Sequence, residues 1–95
     1  MEFIYIIKPH KENFVETMTD EEGDIMSEHS VYIQRLLEDK ILVLAGPELS
    51  GKFGIVIFKA ENEKEAESIM RNDPAVKSKI VSAEIYPYKV SYLQK

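Results

Sequence analysis

The sequence contains no cysteine, which excludes disulfides, thiolate nucleophiles and cysteine-ligated metals. Histidine is nearly as scarce. The two present, His10 and His29, fall in separate elements, so neither a tight transition-metal site nor any other cofactor is expected. Positive charge is short as well: 12 Lys and Arg against 17 Asp and Glu leave a net charge of −5. That balance argues against a partner bound through a phosphate backbone, so no nucleic acid is expected. No apolar run approaches the ~20 residues needed to cross a bilayer, and no membrane partner is expected. The opening "MEFIYIIKPHKE" lacks a basic leader and a small-residue cleavage site, so it reads as a first strand, with a cytoplasmic location as the default.

What is present suits one compact unit. Ninety-five residues, 44% of them hydrophobic and 31% charged, predict a single domain over 1–95 with one core and no need of staples. "EFIYIIK" (Glu2–Lys8) is β-branched and aromatic and reads as a strand halted before Pro9. "PHKENFVETM" is polar and reads as loop. Thr19 with Glu22 three residues on forms a capping box, and the acidic first turn suits the positive end of a helix dipole. Ile25, Met26, Ile33, Leu36 and Leu37 then trace one helical stripe. "ILVLAGP" (Ile41–Pro47) is a second strand, "ELSGK" a turn in which Gly51 supplies positive φ, and "FGIVIFKA" (Phe53–Ala60) a third strand. "ENEKEAESIMRND" predicts a second helix with Ala66, Ile69 and Met70 inward. "IVSAEIYPYKV" (Ile80–Val90) predicts a last strand, with Pro87 implying an edge.

The order βαββαβ predicts an α+β, ferredoxin-like fold: a four-stranded antiparallel sheet with two helices on one face. Two helices cover only one face, yet Ile4 and Ile6 alternate with Phe3, Tyr5 and Ile7, so both faces of strand one are apolar. A second copy packed sheet to sheet, a homodimer through the open face, resolves this. A monomer covered by the Asn13–Met18 loop is the alternative.

Two polar residues sit on apolar faces. His29 lies within about 40° of Ile25, Ile33 and Leu36 on a helical wheel, in the middle of the stripe facing the sheet. Asp73 follows Ile69 by four residues and Ala66 by seven, on the inner side of the second helix. A lone buried carboxylate costs several kcal/mol, so a partner is expected. With both helices on one sheet face, a His–Asp contact is possible: the carboxylate would fix the imidazole tautomer and the second ring nitrogen could carry protons. The plainer readings are a satisfied core histidine and an aspartate that ends a helix before Pro74. His10, in the polar loop, reads as solvated. "DEEGD" does not fit a calcium loop, and "PELSGKFG" lacks phosphate-cradle spacing.

"HSVYIQRLLEDKILVLAGP" (His29–Pro47) and "GIVIFKAENEKEAESIMRNDPAV" resemble the YCII-related (YciI-like) proteins in the order His…AGP…DP, with "MTDEE" and "IYPYKV" fitting as well, so nearly the whole chain is covered. The resemblance implies a dimeric α+β barrel with a ferredoxin-like protomer. It also implies that His29 and Asp73 correspond to the family's His–Asp pair, which lines a pocket and is associated with acid–base chemistry. One branch is associated with dehydrochlorination of a chlorinated hydroxyhydroquinone. Ala75 stands where the family usually has Phe, which should reshape that side of the pocket, and Lys40 replaces a usual turn Gly.

The resulting expectation is a small cofactor-independent acid–base enzyme, of lyase or isomerase type. Its small-molecule substrate would be an aromatic or enolisable acid. His29 is the expected proton carrier and Asp73 its orienting partner. Gly46 and Pro47 would form the pocket rim, with Tyr5, Tyr32 and Ser50 as substrate contacts. Two alternatives remain: a non-catalytic dimeric module holding haem or another small molecule, as related barrels do, and a His–Asp pair that merely joins two helices.

Overall fold

In the computed structural model, which describes residues 1–94, the chain runs β1 (Glu2–Pro9), α1 (Phe14–Thr17), α2 (Asp20–Glu38), β2 (Leu42–Pro47), β3 (Gly54–Lys59), α3 (Glu63–Arg71), α4 (Pro74–Lys77) and β4 (Val81–Tyr88). The four strands form one antiparallel sheet in the order β2-β3-β1-β4. This is the expected ferredoxin-like α+β arrangement. β4 pairs only with β1, so Pro87, opposite Phe3, sits on an edge where its missing N–H costs no ladder bond.

Two one-turn helices are additions to the expected pattern. α1 falls within the stretch read as loop. Four residues are too few to show a period, and the turn is held by Phe14, buried in the core, and by Thr17 Oγ1 donating to the Asn13 carbonyl at 2.9 Å. α4 moves Asp73. The second long helix stops at Arg71, and Asp73 is not on its inner side but caps the N-terminus of α4, with Pro74 at the first position.

The caps explain where α2 begins and ends. Glu22 N–H donates to Thr19 Oγ1 at 3.1 Å and Glu22 Oε1 accepts from Thr19 N–H at 2.9 Å, the expected capping box. At the other end Lys40 N–H reaches the Leu37 carbonyl and Ile41 N–H the Leu36 carbonyl, a Schellman closure with Lys40 left-handed at φ 62°. That conformation costs a side-chain-bearing residue roughly 1–2 kcal/mol, the physical reason for a glycine at this turn.

The sheet's two faces differ. Phe3, Tyr5, Ile7, Val56 and Phe58 are buried under the helices, with the Tyr5 ring edge-on to Phe58 at 5.7 Å. On the other face Ile4 pairs with Ile57, Ile6 with Ile55, and Leu44 with Ile57. Leu44 is 40% exposed, yet Ile57 only 6%, because residues 88–93 lie beside Val43, Leu44 and Ile57 around one depression. The Asn13–Met18 segment does not cover this face; Phe14 belongs to the core with Phe3 and Tyr5 on the helix side.

His10 is not a free solvated residue. Its Nε2 lies 2.6 Å from Glu22 Oε2, while Lys11 Nζ lies 2.9 Å from Oε1. The Thr19 N–H first, then Lys11 and His10, pull the Glu22 carboxyl down from 4.5 to about 2. A depressed carboxyl contributes stability that is complete above its unfolded value and lost as pH falls through the folded one. Between pH 4.5 and pH 2, therefore, the urea midpoint of Glu22→Gln should fall less than that of the parent chain, from a lower starting value. Parallel curves for the two would refute this contribution.

Candidate active site

α2 packs against α4 and β2, while α3 and α4 pack on β4. Between α2, the β2–β3 hairpin and α1 is left a cavity of about 380 Å³. This is within the range of roughly 300–1,000 Å³ typical of small-molecule sites. Met26, His29, Ser30, Ile33, Gln34 and Leu37 of α2 form one wall. Ala45, Gly46, Pro47 and Gly54 form the opposite wall, and the buried Phe14 and the exposed Val15 and Phe53 also line the cavity. The lining is apolar apart from three side chains, His29, Ser30 and Gln34, and contains no lysine or arginine.

Midway along α2 the expected pair meets. His29 Nδ1 lies 2.7 Å from Asp73 Oδ1 and 2.8 Å from Oδ2. The carboxylate is fully buried, and the imidazole 14% exposed. Two more donors complete the arrangement: Tyr5 O–H of β1 donates to Oδ2 at 2.7 Å, and Ala75 N–H of α4, the helix that Asp73 caps, donates to Oδ1 at 3.0 Å. No buried side-chain polar atom is left unpaired among the described residues. A carboxylate can only accept, so the proton between the pair belongs on Nδ1, and the neutral ring keeps its lone pair on Nε2. Nε2 has no protein hydrogen-bond partner among the described residues, on a ring that lines the cavity.

The other expected site residues divide. Gly46 and Pro47 line the cavity. Tyr5 does not; it is fully buried and serves Asp73, and its hydroxyl is held protonated, first by burial and then by the neighbouring carboxylate charge. Tyr32 O–H donates to the Ile69 carbonyl at 2.6 Å, joining α2 to α3 outside the cavity, and burial followed by the Asp73 charge pushes it up to about 12. Ser50 lies on the surface and donates to Glu48, whose carboxyl is lowered chiefly by that bond. Ala75 is not on the cavity wall either; its side chain is in the core and only its N–H enters the site.

Ser30 and Gln34 escaped the sequence reading. The signal was there, because Met26, Ser30, Ile33 and Leu37 repeat at helical spacing, but two polar residues on such a row look like its solvated border. Among the described residues no three His, Asp or Glu side chains come together to hold a metal ion. No helix is long and apolar enough to cross a membrane.

The comparisons with known proteins agree with this architecture. The YCII-related domain family matches residues 1–89. Among solved structures, the chain is similar to 5-chloro-2-hydroxyhydroquinone dehydrochlorinase from Burkholderia phenoliruptrix AC1100, in complex with 2,5-dihydroxybenzoquinone. The TM-score is 0.73 at 19% identity over 94% of each chain, a likeness of fold. No curated protein matches.

Tyr5→Phe removes one charge-assisted donor from a buried carboxylate and leaves the aromatic packing in place. The loss should be about 1–3 kcal/mol in urea unfolding. An unchanged midpoint would mean that the Tyr5–Asp73 bond contributes nothing.

Proposed function

The chain belongs to the YCII-related family, and from that premise we propose that it is a small cofactor-independent acid–base enzyme, of lyase or isomerase type, acting on a small aromatic or enolisable acid. The observation carrying this reading is the open Nε2 of His29 at an apolar cavity, with Nδ1 fixed by a buried carboxylate. Dehydrochlorination, the activity of the structural neighbour, is chemistry of the same kind.

His29 Nε2 takes a proton from the substrate. The electron pair released either expels a leaving group, which is the lyase outcome, or accepts the same proton at another carbon, which is the isomerase outcome. Asp73 stabilises the imidazolium that forms and keeps the ring in one orientation. It is held in turn by Tyr5 and Ala75. The apolar walls exclude water and strengthen these interactions.

The test screens chloride release from 5-chloro-2-hydroxyhydroquinone and proton–deuterium exchange on a panel of hydroxylated arenes and keto acids. On whichever compound turns over, His29→Ala and Asp73→Asn should slow the reaction by roughly 10²- to 10⁴-fold with the circular dichroism spectrum retained. Full activity in His29→Ala would end the proposal. A haem Soret shift that His29→Ala abolishes, with no turnover on any compound, would favour a non-catalytic binding module instead.

The protein is further proposed to act as a homodimer through the open sheet face, where Ile4, Ile6, Ile55 and Leu44 leave apolar surface uncovered by helices. Leu44 is exposed enough for the protomer to tolerate a charge there. Sedimentation should give a dimer for the parent and a folded monomer for Leu44→Glu, and a monomeric parent would refute the interface.

A further inference from the structure

An acid bound in the cavity meets no cation there, because the lining holds neither lysine nor arginine. Positive charge is found in an adjoining depression. A second depression, of about 660 Å³, is lined by Lys8, Pro9, His10, Lys11, Asn13 and Lys52 among others, and it shares Pro9 and Gly51 with the cavity. Three of the chain's 12 basic residues thus gather at this one opening of a protein with net charge −5.

The acidic residues nearby are turned elsewhere. Both Glu22 oxygens are taken, by the Thr19 N–H, Lys11 and His10. Glu48 accepts from the Ser50 hydroxyl and from the backbone N–H groups of Ser50 and Lys52, so its carboxylate closes the β2–β3 turn. Glu12 alone lines the depression as an acid. Lys11 is anchored, bonded to Glu22 at 2.9 Å and to the Thr17 carbonyl at 2.8 Å. Lys8 and Lys52 are exposed and make no ion pair among the described residues.

Accepting the acid–base reading above, we propose that the substrate's anionic group is bound outside the cavity, on the shelf formed by Lys8, Lys11 and Lys52, so that the molecule bridges both depressions over Pro9 and Gly51. The reacting end lies against His29 and the carboxylate faces water and lysine. This division follows from desolvation. A carboxylate taken into the apolar cavity would lose its hydration with no cation in return, whereas at the shelf it keeps both water and charge partners. The substrate class is therefore an acid whose carboxylate stands on an arm away from the reacting ring or enolisable carbon, not on it.

The experiment is an NMR titration with two probes of one shape, hydroxyphenylpropionate and its uncharged amide, against the parent and a Lys8→Gln/Lys52→Gln variant. Both substitutions are on the surface and leave the Lys11–Glu22 contact intact. In the parent both probes should shift the His29 ring. The anion should also shift the amides of Lys8, Lys11 and Lys52 and bind about three- to tenfold more tightly than the amide, as a few exposed charge pairs allow. That preference should vanish in the variant and in high salt. A preference that survives the double substitution overturns the proposal, as does equal binding of both probes with a responding His29; both leave the acid–base reading standing. An anion that moves the shelf but not His29 refutes the bridging mode. If neither probe reaches His29, the shelf proposal and the cavity reading behind it fall together.

Discussion

The buried carboxylate of Asp73 is the constraint on which the rest of the site depends. A fully desolvated charge is tolerated only if its oxygens are bonded, and here the donors come from three separate elements: Tyr5 on β1, His29 on α2 and Ala75 N–H at the start of α4. Each donor fixes a spatial relation. Tyr5 ties the carboxylate to the centre of the sheet, Ala75 ties it to its own chain direction, and His29 sets how close α2 stands to α4. Displacing any one of these elements would leave charge uncompensated in the core, so the site and the packing of the helices are one problem with one solution.

On the side of α2 that faces the β2–β3 hairpin, Phe14 and Met26 line the cavity together with His29, the residue whose ring the carboxylate holds. The cavity walls are small at Ala45, Gly46 and Gly54, and a Cβ at Gly54 would touch Ile7 at 3.4 Å, whereas one at Gly46 would meet nothing within 4 Å. The charged groups excluded from these walls collect at the opening, where water can solvate them.

Local signals gave most of the fold in advance. The Thr19–Glu22 capping box, the alternation of β1, the Gly51 turn and Pro87 on an edge strand all work through neighbours in sequence, and the structure reproduces them. Errors appeared where a non-local contact overrode the local pattern. α1 exists because Phe14 found the core, and His10 is bonded because α2 begins within reach of it. Asp73 was on the right side of the molecule for a partly wrong reason: the helical period places it beneath Ile69, but a new helix starts there and uses it as a cap. Tyr5, expected as a substrate contact, is buried under the helices, and its hydroxyl faces the acid and not the cavity.

By itself the sequence determined the order of the four strands and the two long helices, the inward stripes of those helices, and the fact that an aspartate among apolar residues would need a partner. These follow from periodicity and from the cost of burying polar groups, both legible along a single chain. Only the tertiary structure decided which oxygen meets which donor, that Tyr5 belongs to the carboxylate and Tyr32 to a backbone carbonyl, and that the space left over is lined by His29. Such choices depend on hydrogen-bond contacts, such as the 2.7 Å between Tyr5 and Asp73, made by residues up to 68 positions apart. No periodicity in the chain encodes them, because they are set by how all the elements pack at once.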